Sequence, residues 1–213
     1  MKKYFLLFVI ATLAISSCVK DRVSAPSTQN NNVNTSGDTL LYYWSFNLDS
    51  ISSLVPTFAI NASANIDFVD SYTDTVQPGT NINGVGVDST NTAGGALRVR
   101  NPSTSLTISL PTTGYKNIVL KYAVEASSAT KAAQTNIVSY TTDGTNYINT
   151  AIASQSPTYA VPLAFTLVAF DFSSDSSVNN NPNFKVQIAF TNGNTNTSGN
   201  DRYDNITLYG QKQ

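Results

Sequence analysis

From residue 39 onward, wherever a period is clear, apolar side chains recur at every second position, and this alternation limits the choice of fold more than any other feature. Ile118, Leu120, Tyr122 and Val124 share one face of the stretch 118–124, and Val119, Lys121 and Ala123 share the other. Phe184, Val186, Ile188 and Phe190 alternate with Lys185, Gln187 and Ala189. The same rhythm runs through Leu106, Ile108 and Leu110, through Val168, Phe170 and Phe172, through Leu97 and Val99, and through Ile206 and Leu208. Period two belongs to the β-strand, whose successive side chains point to opposite sides of a sheet. One apolar and one polar face per strand is what antiparallel sheets packed face to face require.

Turn signals fall between these runs. Asp143-Gly144 separates NIVSYTT from TNYINTAI, and the pair suits a two-residue type I′ hairpin because both central residues of that turn take positive φ. Pro111-Thr112-Thr113-Gly114 separates another pair of strands, and the Asn-rich stretches 179–183 and 192–194 bracket the strand at 184–190. The region 73–95 is rich in Gly, Asn, Asp and Thr and reads as long loops around one short strand. Ser, Thr and Asn dominate, and Glu125 is the only glutamate, so strong helix formers are scarce. No helical period is sustained after residue 16. The expectation is one all-β domain over residues 39–213, an antiparallel β-sandwich of about 8–10 strands.

The first residues read differently. Met1-Lys2-Lys3 precedes an apolar run, 4–15, that is shorter than the roughly 20 residues of a membrane-spanning helix and suits the core of a secretory signal. Ile15-Ser16-Ser17-Cys18 follows. That tetrad resembles the lipobox of bacterial lipoproteins, in which small residues flank the cut and the cysteine thiol accepts the lipid. The resemblance implies a cleaved signal peptide at 1–17 and lipidation of Cys18, with palmitate-type acyl chains holding the protein on a membrane; each buried CH₂ adds about 0.8 kcal/mol. Cys18 is the only cysteine, and lipidation accounts for an exported chain with an unpaired thiol. An ordinary signal with an incidental cysteine, or an N-terminal core helix, are the other readings.

Residues 18–38 then carry the lipidated Cys and a flexible tether, too poor in apolar side chains to offset the entropy of ordering. Lys20-Asp21 resembles the charged signal that sends some Bacteroidota lipoproteins to the cell exterior; ordinary linker charges would look the same. Val19 follows the cysteine, so there is no Asp of the kind that retains some lipoproteins at the inner membrane. The expected location is the cell envelope, as an outer-membrane lipoprotein with its domain exposed. Of 12 Lys and Arg, Lys2 and Lys3 leave with the signal, against 13 Asp and Glu. The mature chain is therefore slightly acidic, which gives no reason to expect nucleic acid.

The succession ALRVRNPSTSLTISLPTTGYKNIVLKYAV, SYTTDGTNY, VNNNPNFKVQIAF and DRYDNITLYG, over roughly 94–210, resembles the jelly-roll domains of secreted Bacteroidota proteins, which are similar to carbohydrate-binding modules and galactose-binding-like sandwiches. Such domains often close on an Asp-Asn-aliphatic strand, here Asp204-Asn205-Ile206. The resemblance implies a jelly-roll sandwich and a binding role. It also implies a structural calcium near the last strand, with Asp201, Asp204 and Asn205 as candidate ligands of the oxygen type calcium prefers. The alternative is that Asp204 and Asn205 bond backbone at a turn. Related sites draw acids from the first strand, and here only Asp49 is near it.

Chemistry is otherwise thin. The chain has no histidine, which removes Ser-His-Asp and Cys-His catalysis and His-ligated zinc. Glycoside hydrolysis needs two carboxylates flanking one bond, and only Glu125 with Asp171, or Asp201 with Asp204, offer a pair. Tyrosines 72, 115, 147, 159 and 203 lie beside turn or loop signals, where a ring can stack on a sugar; Tyr147 and Tyr203 are the candidate ligand contacts. Trp44 could be a sugar platform, but Tyr42 and Phe46 on its own face place it in the core. The leading expectation is a membrane-anchored lipoprotein displaying a non-catalytic module that binds glycan or another extracellular partner. The alternatives are an accessory subunit of an envelope protein complex and, further off, a divergent glycan hydrolase.

Overall fold

The computed structural model describes residues 37–47, 54–68, 74–76, 78–86, 93–100, 103–191 and 199–213. The expected signal peptide, Cys18, nearly all of the expected tether, Asp49, Tyr72 and the Asn-rich stretch 192–194 lie outside the described residues. Twelve strands are described: β1 (Thr39–Trp44), β2 (Phe58–Ala59), β3 (Asn65–Phe68), β4 (Asp74–Val76), β5 (Ala96–Arg100), β6 (Ser105–Ser109), β7 (Tyr115–Ala126), β8 (Thr135–Thr141), β9 (Thr158–Ala160), β10 (Thr166–Asp171), β11 (Lys185–Thr191) and β12 (Asn200–Lys212). The one helical element among the described residues is a 3-10 turn at Ser176–Val178, capped by the Asp175 side chain. Each alternating run in the sequence became a strand, and the excess over the expected number comes from short strands such as β2 and β4.

All pairings are antiparallel, and they make two sheets packed as a jelly-roll β-sandwich. The larger runs β10-β7-β12-β1-β2, with β5 and β4 continuing from β12; the smaller runs β3-β6-β11-β8-β9. β12 explains the branching. Its first residues, Asn200–Tyr203, pair with β5, and its later ones, Ile206–Gly210, pair with β1 on the same edge. β7 lines its other edge throughout. The register of β12 slips between Asp204 and Thr207, where Asn205 takes φ 49°. A bulge needs one residue off the extended conformation, and Asn tolerates the left-handed region better than most. Pro111–Gly114 does separate β6 from β7, but those strands lie in different sheets, so the chain crosses the sandwich there.

The apolar faces meet between the sheets. Tyr42, Trp44, Leu97, Leu120, Tyr122, Phe170 and Leu208 from the larger sheet face Leu106, Ile108, Val138, Tyr140, Val186 and Ile188 from the smaller, all nearly inaccessible. Trp44 is 1% exposed, and its indole N–H donates to Leu54 O at 3.0 Å, so it belongs to the core. Phe172 packs edge-on to Tyr140 and Phe184, with ring centroids 5.2 and 5.3 Å apart. Truncating one such ring costs about 3–5 kcal/mol.

The hairpin expected at Asp143-Gly144 takes another form. Tyr140 and Ile148 exchange two backbone hydrogen bonds, at 2.8 and 2.9 Å, but no ladder follows. Asp143 Oδ1 accepts the backbone N–H groups of Thr145 and Asn146 and the Thr141 hydroxyl, each at 2.8 Å. This side-chain cap satisfies a wider loop without a two-residue turn. The free edge at the start of β8 goes to β9 instead.

Candidate functional site

The smaller sheet buries one face and leaves the other outward, and the registers order the outward side chains into rows. Asp67, Thr107, Gln187 and Ser139 stand opposite one another across β3, β6, β11 and β8. Asn65, Ser109, Lys185 and Thr141 form the next row, and Ser105, Ala189, Ile137 and Thr158 a third. Neighbouring strands are about 4.8 Å apart. The face is therefore a lattice of hydroxyl, amide and a few charged groups, with Ala189 and Ile137 in the third row and Thr141 covered beneath the loop that Asp143 caps.

Tyr147 lies over this face. It sits in the loop that Asp143 caps, one residue before the Ile148 bridge, and is half-buried. The Thr107 side chain on β6 is near enough to its phenol to influence its titration, with β11 between β6 and β8. The loop thus reaches back over the outer face toward β6. Burial raises the Tyr147 phenol above its ordinary value, with the nearby Thr107 hydroxyl opposing. A ring fixed beside hydroxyl and amide groups is the pairing that saccharides use, apolar C–H face against the ring and hydroxyls against polar neighbours.

Tyr203, the other expected ligand contact, is not on a surface. It is fully buried: its hydroxyl accepts from Asn136 Nδ2 at 2.7 Å, and its ring packs 5.7 Å from Tyr122. The Gly and Asn before it suggest a loop, but β12 has already begun at Asn200, which sets Tyr203 on the inward side. Tyr159 is 8% exposed, at the edge of the same interior cluster. Tyr115 packs partly buried against the core.

The candidate calcium ligands divide, with Asp201 on one side of β12 and Asp204 and Asn205 bound to a loop on the other. Asp201 points inward between the sheets, 2% exposed, and neither carboxylate oxygen has a hydrogen bond. Burial raises its pKa to about 8. Asp204 is on the opposite side of β12, where Oδ2 accepts from Thr80 N at 2.7 Å and Oδ1 from its own neighbour Asn205 N at 2.7 Å. Asn205 donates to Thr80 O and Ile82 O at 2.7 and 3.0 Å and accepts from the Tyr43 hydroxyl at 2.6 Å. Asp204 and Asn205 thus bind backbone of the segment 79–83. Gly79 in that segment has no room for a side chain: a Cβ would lie 2.6 Å from Asp204 Oδ2 and 2.3 Å from Ala93 O. Among the described residues no group of three His, Cys, Asp or Glu side chains stands together.

The paired carboxylates of a hydrolase are not brought together either. Glu125 accepts from Arg202 Nη1 at 2.6 Å on the outer side of the larger sheet. Asp171 is opposite Val119, six residues back along β7 from Glu125, which is about 20 Å of strand. Catalytic pairs need roughly 5–9.5 Å. Asp201 and Asp204 face away from each other across the sheet.

Several solved structures are similar to this chain at low identity. Similar to this chain are the CBM22-1–GH10 modules of the Clostridium thermocellum endo-1,4-beta-D-xylanase 10B complexed with xylohexaose, at 12% identity and TM-score 0.42, covering 82% of this chain and 28% of that one. Domain 4 of an extracellular GH43 arabinanase from Geobacillus stearothermophilus, in complex with arabinotriose, matches at 11% identity and TM-score 0.46, covering 83% and 94%. The mannan-recognising carbohydrate-binding module TmCBM27 matches at 10% identity and TM-score 0.39, covering 82% and 99%. No protein-family model and no curated protein matches the sequence.

Proposed function

We propose that this chain is a membrane-anchored lipoprotein whose sandwich displays a non-catalytic glycan-binding face, held at the outer membrane through Cys18 and lifted by the tether. The observation that supports it is Tyr147, half-buried in the loop that Asp143 caps, with its phenol near Thr107 on the outer face of the smaller sheet. Around it, Thr107, Gln187, Ser139 and Asn65 supply neutral donors and acceptors, and Asp67 and Lys185 the charges. A glycan carries many hydroxyls and no obligate charge, and this face answers it in kind. Tyr147 would stack on a ring while the Gln187 amide and the row of hydroxyls read its edges.

The test is a glycan array probed with the mature wild-type chain and with Tyr147→Ala. Binding to one sugar class, lost in the variant, is the expected outcome. No binding by a folded wild-type chain, or equal binding by the variant, sinks the reading.

A second reading, an accessory subunit docking on another envelope protein, draws on Leu163 just before β10 and Leu167 on it, exposed by 61% and 36% at the edge of the larger sheet. A stoichiometric partner recovered after mild detergent extraction, and lost with Leu163→Asp, would favour it over glycan binding.

A further inference from the structure

The interior cluster under β8 and β9 has an imbalance that the outer face does not explain. Four side chains from both sheets meet there: Tyr122 of β7, Tyr203 of β12, Asn136 of β8 and Tyr159 of β9. The Asn136 amide donates to Tyr203 at 2.7 Å and to Tyr159 at 3.3 Å, and the Tyr122 and Tyr159 hydroxyls share one hydrogen at 3.0 Å. Beside them stands the Asp201 carboxylate. Three acceptor atoms of this group, both Asp201 oxygens and Asn136 Oδ1, have no partner. Only two phenolic hydrogens remain to serve them.

Among the described residues no cationic side chain bonds to Asp201; Arg98 and Arg100 of the neighbouring β5 alternate with inward Leu97 and Val99 and so stand on the other side of the sheet. The titratable groups that act on it or feel it are Tyr122, Tyr159 and Tyr203, whose phenols burial pushes further up, so they stay neutral. Arg202 is on the other side of β12, engaged with Glu125 and Asn200. An unpaired carboxylate in such a setting is costly, and the group takes up a proton instead. A proton removes the charge and adds the donor that the cluster lacks. A divalent cation is the poorer solution, since calcium prefers 6–8 oxygen ligands and usually several carboxylates.

We propose that Asp201 is a proton-operated latch: protonated, it lets the two sheets close at the β9 end of the sandwich, and its ionisation loosens that end. Burial alone accounts for the raised pKa of about 8. The sequence makes the latch conspicuous, because there is no histidine, the side chain that ordinarily titrates between pH 5 and 8. The sign follows from the direction of the shift. Below the ordinary carboxylate range both folded and unfolded chains hold the proton. Above that range the unfolded chain releases it while the folded chain keeps it, so stability falls with rising pH until the folded group ionises, then levels off.

The experiment compares unfolding of the wild-type chain and Asp201→Asn at intervals from about pH 5 to pH 9, with amide exchange of Tyr159–Val161 as a local readout. The wild-type folding constant should fall up to tenfold per pH unit toward pH 8. Asp201→Asn should lack that slope, and exchange at β9, corrected for intrinsic rate, should quicken with pH only in the wild type. Parallel pH profiles for both proteins overturn the proposal. So does equal β9 protection at both ends of the range, or stabilisation of the wild type at pH 8 by millimolar calcium but not of the variant, which would make a cation the neutralising group. If Asp201→Asn fails to fold, a carbon-13 carboxyl titration of the wild type decides. A midpoint near or above neutrality supports the latch, and one in the ordinary carboxylate range overturns it.

Discussion

The Tyr43 hydroxyl donates to Asn205 Oδ1 at 2.6 Å, joining two residues 162 positions apart. Tyr43 is on β1 and Asn205 in the bulge of β12, so one hydrogen bond ties the first described strand to the last beside the place where the register slips. Every side-chain polar atom of Asn205 is used, the amide hydrogens on Thr80 O and Ile82 O and the oxygen on Tyr43. Its backbone carbonyl accepts from Asn83 Nδ2 at 2.6 Å. The bulge is thereby held by the loop it supports.

Replacing Asn205 by Ala should therefore cost about 3 kcal/mol, because it leaves buried donors and acceptors on three other residues unanswered. The melting midpoint should fall by roughly 6–12 °C for a domain of this size. Asn205→Asp, which turns the amide donors into an acceptor facing two carbonyls beside Asp204, should be no more stable than Ala. A denaturation series showing Ala within 0.5 kcal/mol of wild type (about the scatter of surface substitutions) would show the loop to be held by other contacts.

Tyr147→Ala and Gln187→Ala should each weaken glycan binding by about tenfold or more, the order of one lost stacking or hydrogen-bonding contact. The melting midpoint should barely move, since both side chains are on the outer face. Isothermal titration with whichever sugar class binds the wild type checks this. Tyr203→Phe is the informative contrast: it removes an interior hydroxyl, so it should lower stability and leave affinity unchanged.

Cys18→Ser should abolish lipid attachment. Mass spectrometry of the wild type should show the acylated cysteine as the first residue, and the variant should lose that mass and leave the membrane fraction after cell fractionation. An unmodified Cys18 in membrane-bound wild-type protein would rule out the lipobox reading.

The acid limb of stability should belong to Asp143 and Asp175. Asp143 is held well below the usual carboxylate range by hydrogen bonds, those from Asn146 first. Asp175 is also lowered: burial acts upward but is outweighed by hydrogen bonds from Ser177 and Tyr140. A lowered folded pKa stabilises above the unfolded value, and the contribution disappears as the pH falls through the folded one. Thermal melts below about pH 4 should show Asp143→Asn losing less stability on acidification than wild type. An unchanged acid slope would count against this assignment.

The strands are legible in the sequence because alternation survives without knowledge of pairing. Leu120 and Ile188 declare their faces wherever their neighbours lie, and both are in the core. Trp44 is legible for the same reason. What alternation does not give is where a strand begins, and Tyr203 eludes it on that account: Gly199 and Asn200 resemble a loop, yet Asn200 already pairs with Arg100. Asp143-Gly144 misleads differently. The dipeptide favours a tight hairpin, but the Asp side chain captures the loop amides and β9 takes the edge that a second hairpin strand would have used. The outer lattice is half legible. Thr107, Gln187 and Ser139 are visible as polar alternates, but only the order β6-β11-β8 makes them neighbours. Asp201 and Asp204 look like one group because they are close in sequence, whereas the three-residue step sends them to opposite sides of the strand.

β12 sits at the middle of the larger sheet, paired with β7 on one edge and with β5 and β1 on the other, yet it is the last of the described strands to leave the ribosome. Until it arrives, β1 and β5 have no common neighbour and β7 has one edge unpaired. Contacts of such long sequence separation close slowly, because loop entropy must be overcome before they reward the chain. The larger sheet therefore cannot be completed until the residues of its central strand have been made.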